Sequence, residues 1–211
     1  MKCFNWNDRI DDKELEEVSN VLNGGGVVIF PTETVYGIAA SALNEKAIDK
    51  LYKAKKRPRE KAINIMVSDR NEIEKYAYVK SETERKIILK FMPGELTIIL
   101  DKKYDFGDSF TLSDGTIGIR IPNNEIALSI LKKVKIPLIV SSANISGMDS
   151  GINPEEIKKY FSESVDILID GGILEKGIPS TIIKVLNNKI IILREGKITK
   201  EMLEEQLKTG Y

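Results

Sequence analysis

Leu15, Val18, Val21 and Leu22 recur at helical spacing, with Asp11 and Asp12 ahead of them and Gly24-Gly25-Gly26 behind. An amphipathic helix is predicted over 11–22, stopped by the glycines. The unbroken apolar run Val27-Val28-Ile29-Phe30 follows and predicts a buried strand. Helical spacing returns over 44–56, where Ala47, Ile48, Leu51 and Ala54 share one face, Asn44 is the N-cap candidate and Pro58 sets the end. Residues 63–67 predict a short strand, 71–78 and 82–91 helices, and 96–100 and 117–121 strands. A helix over 128–134 and an apolar strand over 138–140 come next. Asn153-Pro154-Glu155-Glu156 opens another helix, with proline at its first position. Strands over 167–169, 181–185 and 190–193 and a helix over 199–207 complete the pattern.

Strands and helices interleave without a regular period, and no repeat, low-complexity tract or Gly/Pro/Ser-rich linker divides them. The expectation is one α/β domain over 1–211, a twisted mixed sheet with flanking helices. Leu186-Asn187-Asn188-Lys189 between the last two strands predicts a hairpin, and with it some antiparallel pairing. A chain of 211 residues is long enough to bury a full core.

Charge changes the picture by what it removes. Lysine plus arginine and aspartate plus glutamate number 32 each, so attraction for an anion must come from local clustering and bulk attraction to nucleic acid is unsupported. The single cysteine, Cys3, excludes an internal disulfide framework and a Cys-rich zinc site. No apolar stretch approaches a membrane span, and Asp8, Asp11 and Asp12 leave no signal-peptide apolar region near Met1, so a cytoplasmic location without membrane contact is expected. Histidine is absent, which excludes the commonest general base and every Ser-His-Asp or Cys-His arrangement. Any chemistry must run on Lys, Arg, Asp, Glu, Tyr and hydroxyl groups.

Pro31-Thr32-Glu33-Thr34-Val35-Tyr36-Gly37 leaves the carboxyl end of the first buried strand, where open α/β sheets place ligands, and brings two hydroxyls, a carboxylate and a phenol together. An ordinary strand exit accounts for the proline and glycine, but not for so many hydrogen-bonding groups. Lys55, Lys56, Arg57, Arg59 and Lys61 crowd a helix end, which is either a solvated face or an anion site. Ser141-Ser142-Ala143-Asn144, Pro179-Ser180-Thr181 and Arg194 also fall at strand boundaries. Arg120, set between Ile119 and Ile121, is either an outward-facing strand residue or a buried anion clamp, and Thr116 precedes its strand. There is no Gly-x-x-x-x-Gly-Lys-Ser/Thr loop, and the glycine triplet precedes a strand instead of opening a helix, so phosphates would have to be held by side-chain cations and hydroxyls.

In this order, Pro31 to Gly37, Lys55-Lys56-Arg57-Pro58, Pro93-Gly94, Gly118-Ile119-Arg120-Ile121-Pro122, Ser142 with Asn144, Pro179-Ser180-Thr181 and Leu193-Arg194-Glu195-Gly196 resemble the YrdC family over nearly the whole chain. The resemblance implies a large concave cavity and the synthesis of threonylcarbamoyl-adenylate from L-threonine, bicarbonate or CO₂, and ATP. Pyrophosphate is released by this nucleotidyl transfer, and the product feeds threonylcarbamoyladenosine formation on tRNA through a downstream transfer complex. It further implies that Lys55 and Arg57 are catalytic, and that Thr34, Arg120, Ser142 and Ser180 bind threonine. Arg57, Lys61, Thr116, Asn144 and Arg194 are implied to bind ATP, with Mg²⁺ arriving on the nucleotide and no protein-held metal.

Two positions depart from the family's usual pattern: Lys61 stands where asparagine is common and Met66 where histidine is common. A thioether cannot replace an imidazole hydrogen bond, which leaves amino-acid selectivity open. Ala62-Ile63 also replaces the usual Pro-Leu. The alternative readings are a carbamoyl-adenylate-forming enzyme and a module that binds double-stranded RNA or tRNA, or assists ribosome assembly. The balanced charge speaks against the last.

Overall fold

The computed structural model describes residues 1–7, 9–107, 110–111, 114–175 and 177–208; Asp8, part of the acidic amino terminus, lies outside them. In chain order the elements are β1 (Lys2–Asn5), α1 (Asp12–Asn23), β2 (Val27–Phe30), β3 (Gly37–Ser41), α2 (Glu45–Lys55), β4 (Asn64–Met66), a 3₁₀ turn (Arg70–Glu72), α3 (Ile73–Tyr76) and β5 (Ala77–Tyr78). They continue with α4 (Glu82–Phe91), β6 (Leu96–Lys102), β7 (Thr116–Arg120), α5 (Glu125–Val134), β8 (Leu138–Ser142), α6 (Pro154–Phe161), β9 (Ile167–Asp170), β10 (Thr181–Leu186), β11 (Lys189–Arg194) and α7 (Lys200–Lys208).

Among the described residues the strands form one mixed sheet in the order β1-β9-β2-β3-β8-β4-β7-β6-β10-β11, with β5 added along β6. Its two faces have different cover. Ile29, Ile38, Ile65, Ile98, Ile119 and Ile139 point to one side and pack with Ala47, Ile48 and Leu51 of α2. On the other side, Val28, Phe30, Ala39, Met66, Leu138 and Val140 pack against Val18 and Leu22 of α1 and Ala127, Ile130, Leu131 and Val134 of α5. Register carries that second face onward, because Asn64 lies beside Val140 and Met66 beside both Leu138 and Arg120. Beyond the reach of α1 and α5 it becomes the lining of a cavity formed by Asn64, Thr97, Arg120 and Ile182.

Local chemistry explains the element ends. Asp11 accepts from the backbone of Lys13 and Glu14 to cap α1, Asn44 caps α2, and Ser81 with Glu84 forms a capping box on α4. Asn187 and Asn188 both take positive φ (51° and 59°), the backbone a tight β10–β11 hairpin requires.

The helix expected over 71–78 is instead the 3₁₀ turn and the short α3, after which Ala77 and Tyr78 extend to pair with Lys102 and Asp101. Strand pairing overrides the local helical pattern there. Strands β1 and β3 were absent from the sequence reading: β1 buries only Phe4 along its length, and in β3 Ile38 stands among Gly37, Ala39, Ala40 and Ser41, small residues with weak strand preference. Helix α5 starts at Glu125, earlier than the expected 128, because Asn124 caps it. Helix α2 ends through Lys56 in a left-handed conformation (φ 50°), two residues before Pro58. Among the described residues no helix is long and apolar enough to cross a membrane.

Candidate functional site

The cavity has a volume of about 170 Å³ and gathers Arg57 from the segment after α2, Arg120 from the end of β7 and Arg194 from the end of β11. Backbone carbonyls fix each guanidinium along part of its edge. Arg57 donates from Nε to Lys61 O (3.0 Å) and from Nη2 to Ala62 O (2.8 Å). Arg194 donates from Nε and Nη2 to Ser180 O (3.1 and 2.7 Å) and from Nη2 to Ser180 Oγ (3.2 Å). Arg120, only 5% exposed, donates from Nε to Gly94 O (3.2 Å) and from Nη2 to Thr34 Oγ1 (3.0 Å). Carbonyls and hydroxyls orient these groups, and among the described residues no carboxylate lines the cavity, although Glu33 ion-pairs with Arg120 from outside the lining. Burial lowers the pKa of Arg194, and the neighbouring charges of Arg120 and Arg57 lower it further. Burial likewise lowers that of Arg57. Both stay protonated, since a guanidinium is not deprotonated in proteins. Arg120 has Glu33 as a counter-charge, but among the described residues Arg57 and Arg194 pair with no carboxylate, so an anionic ligand would relieve the repulsion at Arg194.

Behind the cavity wall Glu33 Oε1 lies 2.9 Å from Arg120 Nη2, although neither carboxylate oxygen makes a hydrogen bond. The β2–β3 loop that carries Glu33 is self-supporting: Thr32 Oγ1 donates to Val35 O (2.7 Å) and accepts from Thr34 N (3.2 Å). Tyr36 OH donates to Gly172 O (2.7 Å) and accepts from Gly171 N (3.0 Å), and burial pushes its pKa up to about 12, so this phenol is a brace. A larger cleft of about 620 Å³ lies beyond Glu33 and shares Thr32 with the cavity. Its charges are of mixed sign, with Lys197 paired to Glu95 at 2.8 Å.

Lys55 does not ride a polar helix end, as its place in a run of cations suggests. It is 1% exposed, and its Nζ turns under the segment after β8 to donate to Ser142 O, Asn144 O (2.7 Å) and Asn144 Oδ1 (3.3 Å). Ser146 N returns a bond to Lys55 O (2.9 Å). Burial and then the Arg57 charge pull the Lys55 pKa down to about 7. Asn144 is committed to the same knot: its Oδ1 accepts from Ser142 Oγ, and its Nδ2 donates to Ile145 O and Met148 O.

Of the residues singled out in the sequence, Arg57, Arg120, Ser142, Ser180 and Arg194, with Met66, line one cavity. Thr34 touches it through Arg120, and Lys55 and Asn144 through Ser142. Lys61 contributes its carbonyl, not its ammonium, by accepting from Arg57. Thr116 starts β7, at the opposite end of the strand from Arg120, and donates to Asp114 Oδ1 (2.6 Å), away from the cavity lining. Thr97 was missed. Its buried Oγ1 lies 2.9 Å from Ser180 Oγ, and its signal was a hydroxyl interrupting Leu96-Thr97-Ile98-Ile99-Leu100. Asn64, between Ile63 and Ile65, carried the same kind of signal.

Known proteins share this chain's sequence pattern and fold. The Sua5/YciO/YrdC family model, described as "Telomere recombination", matches residues 20–196. A Methanocaldococcus jannaschii protein is 45% identical over 96% of this chain and 95% of its own length. A Bacillus subtilis protein named threonylcarbamoyl-AMP synthase is 32% identical over 92% of this chain and 56% of its own length. The crystal structure of P. abyssi Sua5 complexed with L-threonine superposes with a TM-score of 0.93 at 30% identity, covering 99% of this chain and 61% of that one. The chain thus spans less than two thirds of the last two proteins. A family match that contains the whole arginine cavity, together with a relative matched along nearly its full length, places this chain in the Sua5/YciO/YrdC family.

Proposed function

We propose that this protein forms threonylcarbamoyl-AMP and pyrophosphate from L-threonine, bicarbonate or CO₂, and ATP, and so acts as a nucleotidyltransferase. The observation that carries the reading is the convergence of three guanidinium groups on a cavity that no carboxylate lines among the described residues. A carboxylated threonine bears two carboxylate-like groups and must approach the α-phosphate of ATP, so several negative charges have to share one space. Three cations held by carbonyls suit that demand better than any site for a single anion. The relatives named as threonylcarbamoyl-AMP synthases and the L-threonine complex of P. abyssi Sua5 support the same substrate.

In this mechanism Arg120 holds the threonine α-carboxylate, while Arg57 and Arg194 hold phosphate oxygens. Ser142 and Ser180 offer hydroxyls from opposite strand ends, and Thr34 steadies Arg120. An oxygen of the carbamate attacks the α-phosphorus, the new O–P bond forms, and the bond to the β-phosphate oxygen breaks to release pyrophosphate. The attacking oxygen is already anionic, so this step needs no general base and a chain without histidine can perform it. Magnesium would travel with the triphosphate, since among the described residues no carboxylate lines the cavity to hold it. The adenylate would pass to a tRNA threonylcarbamoyl-transfer complex, which makes the cytoplasm the expected place of action.

The test is pyrophosphate release with ATP and magnesium, with threonine and bicarbonate each supplied and withheld. Dependence on both is expected, and Arg57→Ala should lower turnover about a hundredfold or more. Release without threonine, or a salt-sensitive RNA mobility shift with no turnover, would overturn the reading.

A further inference from the structure

Asn64 is the polar side chain on the cavity floor that the proposed mechanism does not use. Strand β4 presents it on the same face as Met66, and it lines the cavity with Arg57, Arg120 and Ser142. Among the described residues its carboxamide makes no hydrogen bond, although it is half-buried. Its seat is cut to shape by Gly118 on the neighbouring strand, where a Cβ would stand 2.0 Å from Asn64 Oδ1 and 2.7 Å from Cγ. Most of the polar groups around it are donors or engaged in other bonds. The three arginines only donate, Ser142 Oγ is given to Asn144, and Ser180 Oγ is shared with Thr97 and Arg194. The amide oxygen of Asn64 is therefore an uncommitted acceptor in a cavity of donors.

We propose that Asn64 is a specificity-determining residue that accepts a hydrogen bond from an N–H of the ligand. Resting on the reading of the site as one for a carboxylated amino acid, that N–H is the one a primary amine keeps after carboxylation. The ammonium loses two protons and gains CO₂, leaving an N–H beside the new carboxylate. Carboxylates and phosphates find donors throughout the cavity, and its hydroxyls can turn their protons toward those anions, whereas the amide oxygen of Asn64 carries no proton and is the group suited to this nitrogen. Asn64 thus separates a primary-amine substrate from a secondary-amine one, whose carbamate has no hydrogen on nitrogen.

The test compares kcat/KM for L-threonine and N-methyl-L-threonine by pyrophosphate release in the wild type, Asn64→Leu, Asn64→Asp and Gly118→Ala. The wild type should prefer threonine by about tenfold or more, the scale of one lost hydrogen bond to a partly buried acceptor. Leucine keeps the branched shape and removes the acceptor, so threonine turnover should fall about tenfold and the preference should collapse. Aspartate keeps the acceptor and should keep the preference at a lower overall rate, because it adds negative charge to an anion site. Alanine at position 118 displaces the carboxamide without changing its chemistry, so it should reproduce the leucine result and covers the case in which Asn64→Leu does not fold. An undiminished preference in Asn64→Leu or Gly118→Ala overturns the proposal, since rejection would then be steric. A wild type with no amino-acid-dependent release overturns the proposed function and this inference with it. Normal threonine turnover without any preference overturns this inference alone.

Discussion

Lys55 makes the pH dependence of stability readable at one side chain. Its ammonium sits at 1% exposure among uncharged acceptors, and its pKa falls from 10.5 to about 7, first through burial and then through the Arg57 charge. Unfolding returns it to the ordinary lysine range. Between about pH 7 and about pH 10 the unfolded chain therefore holds a proton that the folded chain has released, and stability rises with pH. Below the folded pKa both states carry the proton, the burial penalty is fully present and the slope vanishes. With about 1.4 kcal/mol per unit inside the window, a scan from about pH 6 to about pH 9.5 yields about 3 kcal/mol from this group. The scan stops there because Tyr36, raised to about 12 mainly by burial, adds the opposite slope once an unfolded tyrosine ionises. Lys55→Met keeps the aliphatic stem and removes the titration. The acceptors it strands, Ser142 O and Asn144 O, lower stability by an amount independent of pH. Urea unfolding of both proteins at each pH isolates the difference, which should grow by about 3 kcal/mol in favour of the wild type as pH rises. Parallel curves would refute the argument.

Arg120→Lys should weaken threonine binding about tenfold or more while leaving ATP affinity little changed, because an ammonium cannot reach Gly94 O, Thr34 Oγ1 and a ligand carboxylate together; calorimetry with equal losses for both ligands would contradict this. With Met66 and Val140 as the apolar wall and Thr97, Ser142 and Ser180 as the hydroxyl wall, serine should be a poor substrate and valine should be rejected. Pyrophosphate release as fast with valine as with threonine would sink that assignment. At the β10–β11 turn Asn188→Val should cost about 1–2 kcal/mol, since a β-branched residue resists positive φ. Asn188→Gly should be neutral or stabilising by urea denaturation, and equal stability of the two variants would refute the backbone argument.

The elements most legible in the sequence were those whose local signals agree with their packing. Helix α4 has its Ser81–Glu84 box and its period, and the β10–β11 hairpin has its paired asparagines. Strand β3 was hidden because Gly37, Ala39 and Ala40 owe their strand to neighbours: a Cβ on Gly37 would stand 2.7 Å from Val140 Cγ1. The arginines of the site could be read because cations at strand ends are conspicuous. The roles of Lys55 and Asn144 could not, because a charged residue among other charged residues gives no sign that it turns inward. Thr116 shows the limit of proximity along the chain, since its hydroxyl turns to Asp114 Oδ1 while Arg120 faces the cavity. Closeness to Arg120 along the chain says little about a site when a strand carries the two to opposite ends.

The outermost strand of the sheet, β1, sets a timetable for synthesis. Its partner is β9, with Lys2 beside Ile167 and Asn5 beside Asp170, so these residues leave the ribosome with nothing to pair with until about 160 more have followed. Strand β2 waits as well for its outer neighbour, although the adjacent β3 covers its other edge almost at once. A nascent chain stalled before residue 167 therefore exposes one long edge of β2 and an unanchored β1 carrying Phe4 and Cys3. Cys3, exposed in the folded protein as well, offers an attachment point for a probe at every stage, and a ribosome-bound series of increasing length should show its backbone settle only after β9 emerges.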